Sequence, residues 1–537
     1  MEILRYLEMK KTNKLYIALA LICGLSFCSC NKFLDELPDN RAILNTEDKI
    51  DKMLVSAYPS TAYLVTAEFS SDNVDDYGVN NPYSERDLEQ LFRWNDVTEE
   101  TNDSPKRVWE ACYSAIASAN AALDAIQDKG NPTSLNPQRA EALAARANAH
   151  FILVNLFAQH YHKDYAATDL GVTYMMSSEV ELDPKYERNT VQQVYDYMLQ
   201  DLQEAIPLID DASYGSTPKY HMNTRAANAL AARIALYMQD WEKAVSYANA
   251  AIGVNPTSIM RDNDAISANA VGGVTDAAIY YNRSSINANL MLATAGTNHG
   301  LYFGAYYTGS RFAHGTLIST TETLLASAPF GARASNGFKP RVFVYQGTNL
   351  DKSLLPRVSY MFEYTDVVAG IGFRRGAYAP FTTEETMLVR AEALIHLKRY
   401  DEAIVDMKRW VDNTLVSPPA TFTVAGINTW ANGMEYFTAR QPTPKKRLDP
   451  TMIPYESGTQ ENMLHALLFI RRFETMHMGL RWFDVKRYGI EIERRLVTSG
   501  TTIASVETDT KLIARDKRQA LQLPLDVITA GQTPNPR

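Results

Sequence analysis

Cysteine is scarce in this chain, which has four in 537 residues. So small a number excludes a disulfide-stapled scaffold, and the fold must be held by its core. Long apolar runs are scarcer still. The one membrane-like stretch, residues 15–27, is shorter than the ~20 residues that a spanning helix needs. There is no H-E-x-x-H, no G-x-S-x-G, no P-loop and no glycine-rich nucleotide fingerprint. No pattern nominates the two carboxylates at defined separation that a glycosidase requires. We therefore expect neither an enzyme nor a cofactor. Positive charge is in deficit, with 53 Lys and Arg against 62 Asp and Glu and a formal net charge of -9. Such a surface discourages nucleic acid.

What is present begins with an address. Lys10, Lys11 and Lys14 precede the apolar run, which has the length of a secretory h-region, so residues 1–29 read as a signal peptide. Met9 is an alternative start. The run ends at Cys28-Ser29-Cys30-Asn31, a small residue followed by cysteine. This looks like a lipoprotein cleavage site with Cys30 acylated, Cys28 being the runner-up. Residues 30–42 would then be a lipidated tether to the membrane, and Cys112 is left without a partner as an inert buried thiol. The remainder is globular in composition, 46% hydrophobic and 21% charged, with 30 tyrosines whose polar-tipped rings suit a binding surface.

Helical periodicity is expected over 47–58, 107–127, 139–161, 188–209, 223–252 and 383–413. An internal repeat appears when Trp241 is aligned on Tyr400: Trp241-Glu242-Lys243-Ala244-Val245 matches Tyr400-Asp401-Glu402-Ala403-Ile404. In both, an aromatic opens a second helix and an alanine allows close packing, as in stacked tetratricopeptide units. Residues 255–382 shift to Gly, Ser, Asn and aromatics, with alternating runs at 341–345 and 356–364, and 417–461 is a second irregular insertion. The expected fold is mostly α, a tetratricopeptide-like helical-pair scaffold with long irregular loop insertions and a few short strands. It would form one body over 43–537, with parts at about 43–255, 256–382 and 383–537.

The most distinctive stretch is 470–489, IRRFETMHMGLRWFDVKRYG. Phe469, Phe473, Met476, Leu480 and Phe483 make one apolar helical stripe. Arg471 stands three before Glu474, and Asp484 has Arg481 three before it and Arg487 three after, so ion pairs are expected along one helix. Gly479 would let another backbone approach closely. Arg471, Arg472, Glu474, Gly479, Arg481, Trp482, Asp484 and Arg487 resemble the C-terminal signature of the SusD/RagB family, nutrient-binding surface lipoproteins of Bacteroidota. Ile470 and Met478 replace two of its carboxylates. Further blocks match in order: Phe33, Leu34, Asp35 and Pro38 after the lipid cysteine, then Trp109, Tyr113, Ile116 and Asn120. Next come Arg188, Thr190, Val191, Val194 and Tyr195, and finally Arg518, Pro524, Ile528, Asn535 and Pro536 in a tail expected to strap over the helices.

The resemblance implies an outer-membrane, outward-facing lipoprotein acting as a lid on a SusC-like TonB-dependent transporter. Its ligand would be a glycan or, alternatively, an oligopeptide. A helical adaptor without a small ligand and a surface glycan hydrolase are distant alternatives. Two aromatic loops are the candidate ligand surface. One holds Asp72, Asp75, Asp76, Tyr77, Arg93, Trp94 and Asn95, where an indole could stack on a sugar face while Asn, Asp and Arg meet its hydroxyls. The other holds Tyr306, Tyr307 and Arg311 among glycines. The Asp spacing fails the calcium-loop pattern, so no metal is expected. His160 and His162, two apart, read as solvated or capping residues.

Overall fold

The computed structural model describes residues 44–179, 185–307, 309–331, 333, 337–347 and 350–537. Cys30, its tether and the signal segment lie outside the described residues. The chain divides after Glu47, and Asp48–Arg537 is the unit considered below. Among the described residues no helix is long and apolar enough to cross a membrane.

After a short α1 (Glu47–Leu54) and α2 (Leu64–Ser70) comes α3 (Arg86–Phe92), followed by the long pair α4 (Pro105–Asp128) and α5 (Asn136–Phe157). Ser104 starts α4 by accepting from the Arg107 amide, with Pro105 at the first helical position where its missing N–H costs nothing. Thr190 and Gln193 form a reciprocal capping box at the start of α6 (Val191–Ala205). Then follow α7 (Thr224–Tyr237) and α8 (Trp241–Ile252), and far along the chain α9 (Thr383–His396) and α10 (Tyr400–Thr414).

The repeat is real at the level of single bonds. Gln239 and Lys398 occupy the same left-handed turn, with φ 60° and 59°. The turns close alike, Asp240 to the Ala235 carbonyl and Arg399 to the Leu394 carbonyl, both 2.8–2.9 Å. Ala244 and Ala403 are fully buried where the helices touch. Trp241, which opens α8, stacks on His396 at the end of α9, with centroids 4.1 Å apart, so one unit docks on the other.

The insertion supplies one sheet, a hairpin and one strand of a second sheet. β2 (Asn289–Gly296), β7 (Ile371–Thr382) and β6 (Ser359–Asp366) form an antiparallel sheet in the order β2-β7-β6, and β4 (Phe343–Gly347) pairs with β5 (Leu350–Leu354). The second sheet has the order β3-β1-β8-β9, using β1 (Asp75–Asp76), β3 (Phe312–Ala313), β8 (Ile492–Ser499) and β9 (Thr502–Leu512). The long β8–β9 hairpin was not foreseen. The expected strap is present: Leu521 donates to the Leu156 carbonyl, and Asn535 donates to the Phe157 carbonyl at the end of α5. His160 and His162 are buried, the latter bonded to the Thr451 carbonyl, so the solvated reading fails.

The signature is not one helix but two. α11 (Thr459–Glu474) stops, Gly479 takes φ 73°, and α12 (Leu480–Tyr488) turns away. A Cβ on Gly479 would stand 3.0 Å from Ala67 and 3.3 Å from the Leu64 carbonyl, which explains the glycine twice over. The break redirects the charges. Only Asp484–Arg487 forms as spacing predicts, at 2.7 Å. Arg471 turns to Asp484 at 3.4 Å and to Glu392 at 3.7 Å, while Arg487 reaches Glu392 at 2.6 Å. Glu474 accepts from the Trp410 indole at 2.9 Å. Arg481 takes Asp72 with both nitrogens, at 2.7 and 2.8 Å.

Asp72 also meets Lys446, which with Arg472 and Arg495 encloses Glu322. Burial would raise these acids, but the surrounding cations win: Asp72 is held well below the usual carboxylate range and Glu322 falls to about 2. Because the folded values are depressed, the contribution is complete above the ordinary Glu value of 4.5 and is lost as pH falls from there to about 2. Arg481→Met would leave Asp72 buried with one cation fewer. We expect a loss of about 3–5 kcal/mol in urea unfolding at pH 7, with a smaller difference from wild type at pH 3.

Candidate functional site

The two loops singled out in the sequence meet. β1 and β3 pair antiparallel, Asp75 opposite Ala313 and Asp76 opposite Phe312, and the Arg311 amide donates to the Tyr83 carbonyl at 2.9 Å. Most of the predicted ligand residues are consumed in making this junction. Arg311 clasps Asp76 with two 2.9 Å bonds and adds Glu89 at 3.0 Å. Asp75 is clasped by Arg495 at 2.8 and 2.9 Å. Arg93 pairs with Glu89 and Glu507. The ring of Tyr77 packs over Gly315, where any Cβ would overlap its hydroxyl, and burial first, then Asp75 and Asp351, push that hydroxyl well up. Asp72, Asp75, Asp76, Arg93 and Arg311 are thus the frame of the loops and not free partners for sugar hydroxyls.

Trp94 is the clearest correction. Only 4% exposed, it donates through Nε1 to the Ser70 carbonyl at 2.8 Å, and the Arg494 guanidinium lies 4.1 Å from its ring centroid. No face is left for a ligand. Asn95 is exposed, but it lines a separate groove of about 830 Å³ with residues of the C-terminal segment such as Leu521 and Ile528.

What remains at the surface is a cluster of tyrosines, Tyr306 exposed and Tyr83, Tyr307 and Tyr360 half-buried. Tyr306 is 43% exposed and packs against Tyr360 of β6, with centroids 4.9 Å apart. Tyr307 stacks on Tyr83 at 4.0 Å with planes only 6° apart, and Tyr302 meets Tyr307 edge-on at 5.8 Å. Sequence reading named Tyr306 and Tyr307 but missed Tyr83 and Tyr360. Tyr83 stands in the first loop among aromatics, yet only the pairing of β1 with β3 shows that it would stack on the second.

The platform is pinned from beneath. Lys352 of β5 is buried and donates to the Tyr306 carbonyl at 2.8 Å and the Leu301 carbonyl at 3.2 Å, and burial brings its amine down to about 7. Tyr307 itself is in the left-handed region, φ 43°, a conformation a tyrosine adopts only when its surroundings impose it. Beside the rings, the half-buried Glu85 carboxyl is raised by burial. Rings fixed in advance lose little freedom on binding, which is what a stacking surface needs. Among the described residues no group of three or more His, Cys, Asp or Glu side chains is placed to hold a metal.

The helical scaffold thus presents preset aromatic rings on its surface. Residues 32–236 match the SusD-like family described as starch-binding and associating with the outer membrane. None of the curated proteins matches the chain. Among solved structures, a SusD superfamily protein from Bacteroides thetaiotaomicron is 18% identical with a TM-score of 0.62, covering 91% of this chain and 99% of its own. A SusD superfamily protein from Bacteroides vulgatus is 17% identical with TM-score 0.61, covering 91% and 97%. A SusD-like carbohydrate binding protein from the same species is 14% identical with TM-score 0.59, covering 90% and 96%. The sequence match to the SusD-like family thus covers 32–236, and the fold is shared with these structures over about nine-tenths of the chain.

The different surroundings of two rings separate anchor from platform. Trp94→Ala is expected to cost about 3–5 kcal/mol in denaturant unfolding, whereas Tyr306→Ala should stay within about 0.5 kcal/mol of wild type.

Proposed function

We propose that the protein is a cell-surface nutrient-binding lipoprotein that holds a glycan chain across Tyr83, Tyr307, Tyr306 and Tyr360 and passes it to a SusC-like TonB-dependent transporter. The observation that carries this reading is the preset tyrosine platform: a pyranose presents an apolar face to a ring while its hydroxyls turn to water and to polar neighbours such as Glu85. An open platform suits a chain that extends beyond the contact, as a polysaccharide does. The family's description as starch-binding and associating with the outer membrane supports both the ligand class and the location. The lipoprotein-type motif at Cys30 supports the anchor. The lid role and the transporter partner rest on the family resemblance, and in that role the chain is not an enzyme.

The test is isothermal titration of the chain beginning at Asn31 with maltoheptaose, other neutral oligosaccharides and a mixed oligopeptide pool. Tyr83→Ala combined with Tyr306→Ala should weaken glycan binding at least tenfold, about 1.4 kcal/mol, with the melting temperature little changed. Heat from peptides alone would overturn the glycan assignment.

A further inference from the structure

A second cavity opens in the scaffold, partly exposed to solvent. Between α4, α5, α7 and the β2–β7 edge is a cavity of about 630 Å³, separate in its lining from the tyrosine platform. Its volume falls in the range of small-molecule pockets. Apolar walls come from residues such as Phe151 and Phe381, and the exposed Ser56, Ser114 and Thr294 stand at its rim.

Tyr58 bonds to Glu141 and to the Met222 amide, but other polar groups of the lining are not used by the protein. Asn148, on α5, is 8% exposed and its side-chain amide has no hydrogen-bond partner among the described residues. Tyr63 and Tyr378 are 6% and 5% exposed, and neither hydroxyl has one either. These groups line the cavity and make no bond within the described residues, so three of them are free to bond to a molecule held there. Arg233 contributes a fourth: Nε and Nη2 are spent on Glu385 and the Pro380 carbonyl, while Nη1 makes no bond within the described residues. Its ring neighbour Phe381 lies 4.7 Å beneath the guanidinium.

Charge narrows the ligand. The Arg233 cation is matched by Glu385 at 2.9 Å, and Arg375 at the rim is paired with Glu363. With both cations compensated, the site offers an anion no net attraction. It offers an amide that both donates and accepts, two hydroxyls and one N–H, set among aromatic and aliphatic walls. That is the complement of a small neutral molecule with several hydroxyls and an apolar face.

We propose that this cavity is a second binding site, for a neutral sugar of about one or two rings, distinct from the surface platform and independent of what the platform binds.

The test is titration of the chain beginning at Asn31 with glucose, galactose, mannose, maltose and cellobiose. At least one is expected to bind, and Tyr378→Phe, which keeps the ring and removes only the hydroxyl, should weaken it at least fivefold. Asn148→Leu should do the same or more, while Tyr83→Ala combined with Tyr306→Ala should leave it unchanged. Should Asn148→Leu fail to fold, Tyr378→Phe decides alone. No binding of any of the five, or binding that Tyr378→Phe leaves intact, or binding lost in the platform variant, would overturn the proposal.

Discussion

The two-nitrogen clasp of Arg481 on Asp72 holds the signature helix to the loop from which the platform grows. Removing two charges from water costs several kcal/mol per ion, and only close geometry with every remaining lone pair occupied recovers it. This protein accepts that cost repeatedly: Asp72, Asp75, Asp76, Glu322, Glu392 and Asp484 are all buried, and each has an arginine partner. Such pairs are poor glue but strict guides. An arginine one turn out of place would strand a charge, so the network admits one arrangement of α11, α12, β8 and the β1 loop. The signature residues act in that arrangement, with their side chains buried.

The helical pairs and the platform are linked through this frame. The stacked units supply a rigid body whose alanine contacts and left-handed turns repeat from α7–α8 to α9–α10. Clamped arginines then fix where two long loops cross. Arg311, Arg495 and Lys352, bonded to their partners, brace the loops that carry Tyr83, Tyr306 and Tyr307. Rigidity is built from buried charge, and the rings are left at the surface.

Much of the scaffold was legible because its signals are local. Trp241 and Tyr400 with their alanines announced a repeat, and the glycine at 479 announced a close approach. The platform was half legible. A loop rich in Asp, Asn, Arg and Trp has the same composition whether it grips a sugar or grips the rest of the protein. What decides is distant in sequence: Arg494 covers Trp94, Arg495 takes Asp75 and Arg481 takes Asp72. The break after Glu474 was equally hidden, because the apolar stripe from Phe469 to Phe483 continues in register across it and all five residues are buried. Tertiary pairing, not helical spacing, chose the partners of Arg471 and Arg481.

Cys112 sits fully buried on α4, its thiol pushed up by burial. A chain that begins at Asn31 has no other sulfhydryl. A reagent that modifies thiolates can therefore reach this protein only when α4 parts from its neighbours. The rate of modification becomes a direct record of how often the helical core opens, read from one atom without any added label.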